Sequence, residues 1–346
     1  MRRSLLPLLL SLLFLTTLSA SADSSSPLAD TRGLNLGNAL EAPKEGQWGY
    51  VIKATDFDNI KSAGFTNVRI PVSWAYYSDA KPPYTIDPKF FARIDEIVDA
   101  ALARGLVVIL NDHHENELYK DPAAHHDRFI AQWKQIAERY RNRPPKLLFE
   151  LLNEPHDNLG DEAWNKLLAD TLPIVRASNP TRSIIISPAN WGSFEKLKTL
   201  RLPSDDHNLI VTFHYYSPFH FTHQGAEWAG PQTQKWLGTK WTGADGEKAE
   251  VEKHFAAAAK WSAENNRPLY LGEFGAFSKA DMESRARWTN FVARTAEKHH
   301  VPWSYWEYCS GFGVYDPKAN AFRPELLHAL IPKKQSPPSQ RDQRAR

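Results

Sequence analysis

The sequence predicts an α/β protein built as a single closed (β/α)8 barrel, the TIM-barrel architecture. Three observations carry that prediction. Short β-branched apolar runs recur eight times and alternate with amphipathic stretches. Most of the runs are continuously apolar, as strands covered on both faces are. No Gly-x-Gly-x-x-Gly follows the first run and no P-loop occurs, so the nucleotide-binding version of an open sheet loses support.

The eight runs are Gly33–Gly37, Asn67–Pro71, Leu106–Asn111, Leu147–Asn153, Ser183–Pro188, Leu209–Tyr215, Pro268–Glu273 and Pro302–Trp306. Helical patterns follow nearly all of them. Asp87-Pro88 supplies an N-cap and an N1 proline for the stripe Phe90, Phe91, Ile94, Ile97, Val98, Ala101 and Leu102, with Gly105 as its stop. Phe129, Trp133, Ile136 and Tyr140 mark another helix, and Trp288, Phe291, Val292 and Ala296 a later one.

In such a barrel the chemistry gathers at the C-terminal strand ends, where the βα loops converge. The polar and aromatic residues at those ends can therefore be counted. They are Asn35 and Asn38, Arg69, Asn111 to His114, Asn153-Glu154, Asn190-Trp191, His214 to Tyr216, Glu273 and Trp306-Glu307. All eight strands deliver to one rim. Glu154 and Glu273 each follow a strongly apolar run, where an unpaired charge is costly unless used or partnered. Two carboxylates on one cleft are what glycosidic bond cleavage requires, one protonated to donate to the leaving oxygen and one ionised to attack the anomeric carbon. Mutual repulsion and burial would separate their pKa values. The competing reading is a structural ion pair, with Arg69 the obvious partner.

The neighbours suit the same chemistry. Asn153 can bond a sugar 2-hydroxyl, Tyr216 and Arg69 can keep a carboxylate ionised, and Trp306 offers a flat face to a pyranose ring. Trp191 could serve likewise. Trp228, Trp236 and Trp241 either extend that surface or pack their own loop. His113-His114-Glu115 invites a metal reading, but consecutive strand residues point to opposite faces and no His-Glu-x-x-His helix or Cys cluster is present. Hydrogen bonding to substrate hydroxyls is the better reading of His113 and His114, and no metal or cofactor is expected. Ser187 and Ser217 lack the Gly-x-Ser-x-Gly elbow of a serine hydrolase.

The chain of 346 residues has 42 Lys+Arg against 40 Asp+Glu and a single cysteine, Cys309. That balance gives no basic field for nucleic acid. Residues 1–22 are expected to be a secretory signal peptide. Met1-Arg2-Arg3 is cationic, Leu5 to Leu18 is apolar but short of the roughly 20 residues of a membrane span, and Ala20-Ser21-Ala22 suits cleavage after Ala22. The expected location is secreted or periplasmic, with no membrane attachment after cleavage. Residues 23–332 form the catalytic barrel, mildly acidic overall. Residues 333–346 read as a disordered basic tail rich in Ser, Pro and Gln. A monomer is expected.

These motifs together resemble glycoside hydrolase family 5, the cellulase family with two catalytic glutamates at the ends of strands four and seven. The resemblance rests on Gly33-Leu-Asn-Leu-Gly-Asn38, Val68-Arg-Ile-Pro71, His113-His114, Leu152-Asn-Glu-Pro155, His214-Tyr-Tyr216, Gly272-Glu-Phe-Gly275 and Trp303-Ser-Tyr-Trp306, in the family's order and spacing. It implies that Glu154 is the acid/base and Glu273 the nucleophile of a retaining double displacement. It further implies that Arg69, His113, Asn153, His214, Tyr216 and Trp306 are site positions, with Asn35 and His114 as substrate-subsite positions. The activity implied is an endo-β-1,4-glucanase on β-glucan. Lacking a recognisable cellulose-binding module and Ser/Thr-rich linker, the sequence points to soluble or amorphous glucan. Alternatives are a β-1,4-mannanase or mixed specificity, a non-catalytic carbohydrate-binding barrel, and a metal-dependent hydrolase using His113 and His114.

Overall fold

The computed structural model describes residues 26–332. The signal peptide and basic tail expected from the sequence lie outside them. Eight parallel strands close into a barrel in sequence order: β1 Arg32–Asn35, β2 Asn67–Val72, β3 Val107–Asp112, β4 Leu147–Glu150, β5 Ile184–Ile186, β6 Leu209–Tyr215, β7 Leu269–Phe274 and β8 Trp303–Tyr305. Closure comes from β8 pairing with β1, Ser304 opposite Gly33. Strands β1, β4, β5 and β8 are shorter than the apolar runs that announced them. Strand β4 ends at Glu150, so Glu154 stands on the loop beyond.

The helices Ala54–Ser62, Pro88–Ala103, Pro122–Tyr140, Asp161–Ser178, Asp245–Asn265, Met282–Lys298 and Pro324–Leu330 surround the sheet. Asp87 caps the second by accepting from the Lys89 amide at 2.7 Å, and Gly105 beyond its end takes φ +73°. Its predicted stripe is buried except for Leu102, which is half-covered; Phe291 of the later stripe is likewise half-covered. The fifth βα unit has only the short turns Ala189–Gly192 and Phe194–Thr199 instead of a full helix. Among the described residues no helix is long and apolar enough to cross a membrane.

Several buried tryptophans fasten the outer layer to the strand ends. Trp133 Nε1 donates to the Leu151 carbonyl at 2.9 Å, Trp164 Nε1 to Ser187 at 2.7 Å and Trp288 Nε1 to Ser217 at 3.0 Å. Each supplies a large apolar body and satisfies its one polar atom, which accounts for part of the chain's aromatic richness. Inside the barrel the side chains are layered. Leu28, Val107, Ile109, Leu148, Ile185, Ile210 and Tyr270 form an apolar floor. Two residues further along each strand the side chain returns to the same face. Asn111 therefore stands above Ile109, Glu150 above Leu148, and Thr212 and His214 above Ile210. The floor is oily and the mouth polar, and the site rests on that boundary.

Candidate active site

Arg69 organises the polar layer from β2. It is fully buried and spends all five of its N–H donors. Nε and Nη2 hold the two oxygens of Glu150 at 2.7 Å each, Nη2 also reaches Asn153 Oδ1 at 2.6 Å, and Nη1 serves Glu273 Oε1 at 2.6 Å and Asn35 Oδ1 at 2.8 Å. A buried guanidinium survives only when paired in this way. The ion pair anticipated between Arg69 and a site glutamate thus exists, but as part of the site.

Glu273 sits near the end of β7 and accepts from Arg69 and, at 2.9 Å, from the Tyr216 hydroxyl. Burial alone would raise its pKa. The adjacent His214 and Arg69 charges and the two hydrogen bonds outweigh burial and hold it below the ordinary carboxylate value. Glu154 is half-buried at the mouth, its Oε1 2.7 Å from His214 Nδ1, and that same nitrogen is 3.7 Å from Glu273 Oε2. Burial disfavours the charge on His214, yet the two carboxylates raise its pKa overall. One oxygen from each glutamate and a ring nitrogen of His214 all fall within 4.8 Å of one another. Retaining glycosidases hold their carboxyls about 5–5.5 Å apart, inverting ones about 6.5–9.5 Å.

This trio is the one group of convergent metal-ligand atoms among the described residues. Both oxygens of Glu273 are already engaged by Arg69 and Tyr216, which commits that carboxylate to its present partners. His113 and His114 do not belong to the trio. Nor do they point apart, as strand alternation suggested: β3 ends at Asp112, and both rings line one cleft with centroids 4.7 Å apart. His113 meets Asn111 Oδ1 at 2.9 Å and stacks on Trp306, centroids 5.4 Å apart and planes 9° apart. Burial and nearby positive groups push its pKa down, and burial brings His114 down to about 4, so both are neutral partners at neutral pH.

Two cavities meet at Glu154. The first, about 590 Å³, is walled by Trp48, His113, His114, Asn153, Glu273 and Trp306 among others. The second, about 690 Å³, is walled by Trp191, Phe219, Tyr216 and His214. Trp228 lines both and is 65% exposed. Asn35 departs from its subsite reading, and for two of the loop tryptophans the packing alternative holds. Asn35 is fully buried and faces neither cavity; its Nδ2 donates to the Gly272 carbonyl at 2.9 Å while its oxygen holds Arg69. Its place is to position Arg69. Trp241 is 1% exposed and packs on Phe291, and Trp236 lies half-buried against Phe219 without lining either cavity. Loop packing claims both.

Other lining residues escaped the sequence reading: Trp48, Glu41, His223, Phe277 and Phe312. Trp48 and Glu41 come from the loop after β1, and Phe277 and Phe312 lie beyond the family-like motifs. Glu41 is buried, accepts from the Asn38 and Ala39 amides, and has its pKa pushed up to about 8 by burial. A Glu or Trp in a polar loop carries no periodic signal, so only its position beside a strand end could have flagged it.

The family model described as Cellulase (glycosyl hydrolase family 5) matches residues 29–311. The chain is 39% identical over 305 residues to Endoglucanase H of Acetivibrio thermocellus, covering 86% of this chain and 32% of that one. It is 27% identical over 328 residues to Endoglucanase B of Clostridium cellulovorans, covering 86% and 73%. The chain spans only about a third of the length of the first curated relatives it matches, 32% and 39%. Among solved structures, Thermotoga maritima Cel5A in complex with mannotriose aligns with a TM-score of 0.86 at 50% identity, covering 88% of this chain and 98% of that one. The same enzyme with cellobiose gives 0.85 at 51% identity, covering 87% and 97%.

Proposed function

Because the chain belongs to glycosyl hydrolase family 5, the cellulase family, we propose that it cleaves β-1,4-glucan within the chain by retaining double displacement. The observation that carries this is the pair Glu154 and Glu273, whose oxygens lie within 4.8 Å of each other and meet at one nitrogen of His214. Glu273, kept ionised by Arg69 and Tyr216, attacks the anomeric carbon. Glu154 donates a proton to the departing oxygen, then takes one from the water that releases the glycosyl-enzyme. Asn153, fixed by Arg69, bonds the 2-hydroxyl of the reacting sugar.

The two cavities give the cleft a direction. Glu273 lines only the first and Glu154 lines both. The glycosyl-enzyme must form where the nucleophile is, so the retained sugars occupy the cavity of Trp48 and Trp306. The leaving chain occupies the cavity of Trp191 and Phe219.

A second reading, mixed glucan and mannan specificity, is favoured by the relative whose structures hold mannotriose and cellobiose. Initial rates on carboxymethyl-cellulose, barley β-glucan, glucomannan and galactomannan separate the readings. The glucanase reading expects β-glucan to lead and galactomannan to be inert. Comparable rates on both would establish mixed specificity, and no reducing sugar from any of them would leave a binding barrel. NMR of the first product should show the β-anomer; an α-anomer would overturn the retaining mechanism.

Export is proposed on the sequence alone, from the cationic start, the Leu5 to Leu18 run and Ala20-Ser21-Ala22. N-terminal sequencing of exported protein should begin at Asp23. Intracellular retention with Met1 intact would refute export.

A further inference from the structure

Strand β6 carries a second polar side chain two residues before His214. Thr212 and His214 share the inward face of the strand. Thr212 Oγ1 and His214 Nε2 are both buried, and neither has a hydrogen-bond partner. They converge on Gly272. A Cβ there would stand 2.6 Å from Thr212 Oγ1 and 3.0 Å from His214 Nε2, so its absence keeps the two groups open to each other. Gly272 is also the residue skipped in the β6–β7 register, where Phe213 pairs with Leu271 and His214 with Glu273. A bulge of this kind re-aims the side chain that follows it, here bringing Glu273 beside His214.

Buried polar atoms are seldom left unpaired, because desolvation is then uncompensated. What Nε2 requires depends on the charge of the ring. Facing His214 are Glu154 from the loop after β4, Glu273 from β7, Arg69 from β2 and His113 beyond β3, with the Ser187 hydroxyl near its ring beside Gly192. Nδ1 is committed to Glu154. The Glu273 carboxylate and the hydrogen bond to Glu154 favour the cation, and an imidazolium carries a proton on each nitrogen. Its Nε2–H then needs an acceptor, and Thr212 Oγ1 is the disengaged oxygen beside it.

We propose that Thr212 is a positioning residue whose Oγ1 accepts the Nε2–H of His214 through one water beside Gly272, and so holds His214 as a cation against Glu154 and Glu273. The proposal rests on the two-glutamate reading for its catalytic meaning, but the charge of His214 can be measured without substrate. Long-range 1H–15N spectra of the full chain, with His214 assigned by comparison with His214→Asn, should show both ring nitrogens protonated at pH 6. Thr212→Val should move the His214 titration to lower pH. It should also shift the acid limb of kcat/KM upward by about one unit, since losing the hydrogen bond weakens the charge that keeps Glu273 ionised. Thr212→Ser should restore both. A neutral His214 at pH 6 in the unmodified protein overturns the proposal, as does a folded Thr212→Val with unchanged titration and pH profile. Should the valine variant not fold, the unmodified spectrum and the serine variant decide. Persistent hydrolysis by Glu273→Ala would instead undermine the two-glutamate reading and leave the His214 result standing.

Discussion

Arg69 and Glu150 form a two-point ion pair wholly inside the barrel, with Nε to Oε2 and Nη2 to Oε1 both at 2.7 Å. Glu150 neutralises the guanidinium on one edge, so that the opposite edge can be shared by Glu273, Asn35 and Asn153 without a net charge buried on β2. The carboxylate that looks structural thereby sets the position of the one that looks chemical.

Glu150→Gln should therefore cost about 3–5 kcal/mol of stability, because it leaves a buried cation with incomplete compensation. Urea unfolding measures this. A loss below about 1 kcal/mol, the range of exposed pairs, would show the pair to be dispensable.

Glu273→Ala should reduce kcat by at least about four orders of magnitude, since removing a covalent nucleophile closes the pathway. The circular dichroism spectrum should not change. Glu154→Ala should be less severe on aryl glycosides with good leaving groups, which need little protonation. Equal losses for both variants on such substrates would contradict their division of roles.

Buried glutamates give the fold a pH-dependent stability. Burial, with the nearby Glu307 carboxyl adding to it, places Glu41 at about 8 against an ordinary 4.5, and burial places Glu307 at about 7. Folded values above the unfolded ones mean a contribution complete below pH 4.5 and lost as pH rises towards 7 and 8. Glu273, held below its ordinary value, acts oppositely: its contribution is present above the ordinary carboxylate value and lost on acidification. Melting temperature should fall between pH 5 and 8, and Glu41→Gln should flatten that slope. An identical slope in the variant would refute the assignment.

Tryptophans should separate by burial. Trp241→Ala should cost about 3–5 kcal/mol with little change in KM, as expected for a filled core position. Trp228→Ala should leave the melting temperature within a degree or two while raising KM, because a surface side chain contributes little to the fold. The reverse pattern would place Trp241 at the substrate and Trp228 in the core.

The sequence by itself determined the barrel, the order of its strands and the rim on which chemistry gathers. Continuously apolar runs and period-3.6 stripes are local patterns, and Asp87-Pro88 or the run before Glu273 states its own structure. It also marked Glu154, Glu273, Arg69, His214 and Tyr216, because polar groups ending apolar strands are conspicuous. Tertiary structure alone decided the rest. Glu150 was hidden inside its apolar run until Arg69 reached it from another strand. Asn35 turned out to hold Arg69, and His113 and His114, both beyond the end of β3 at Asp112, share a cleft with Trp306 from beyond β8. Trp228 and Trp241 belong to one loop and differ only in which distant surface meets them. The physical reason is common to all four. A side chain's burial and partners depend on segments far away in the chain, and the five donors of Arg69 are met from β1, β4, β7 and the loop beyond β4, none of them its neighbours in sequence.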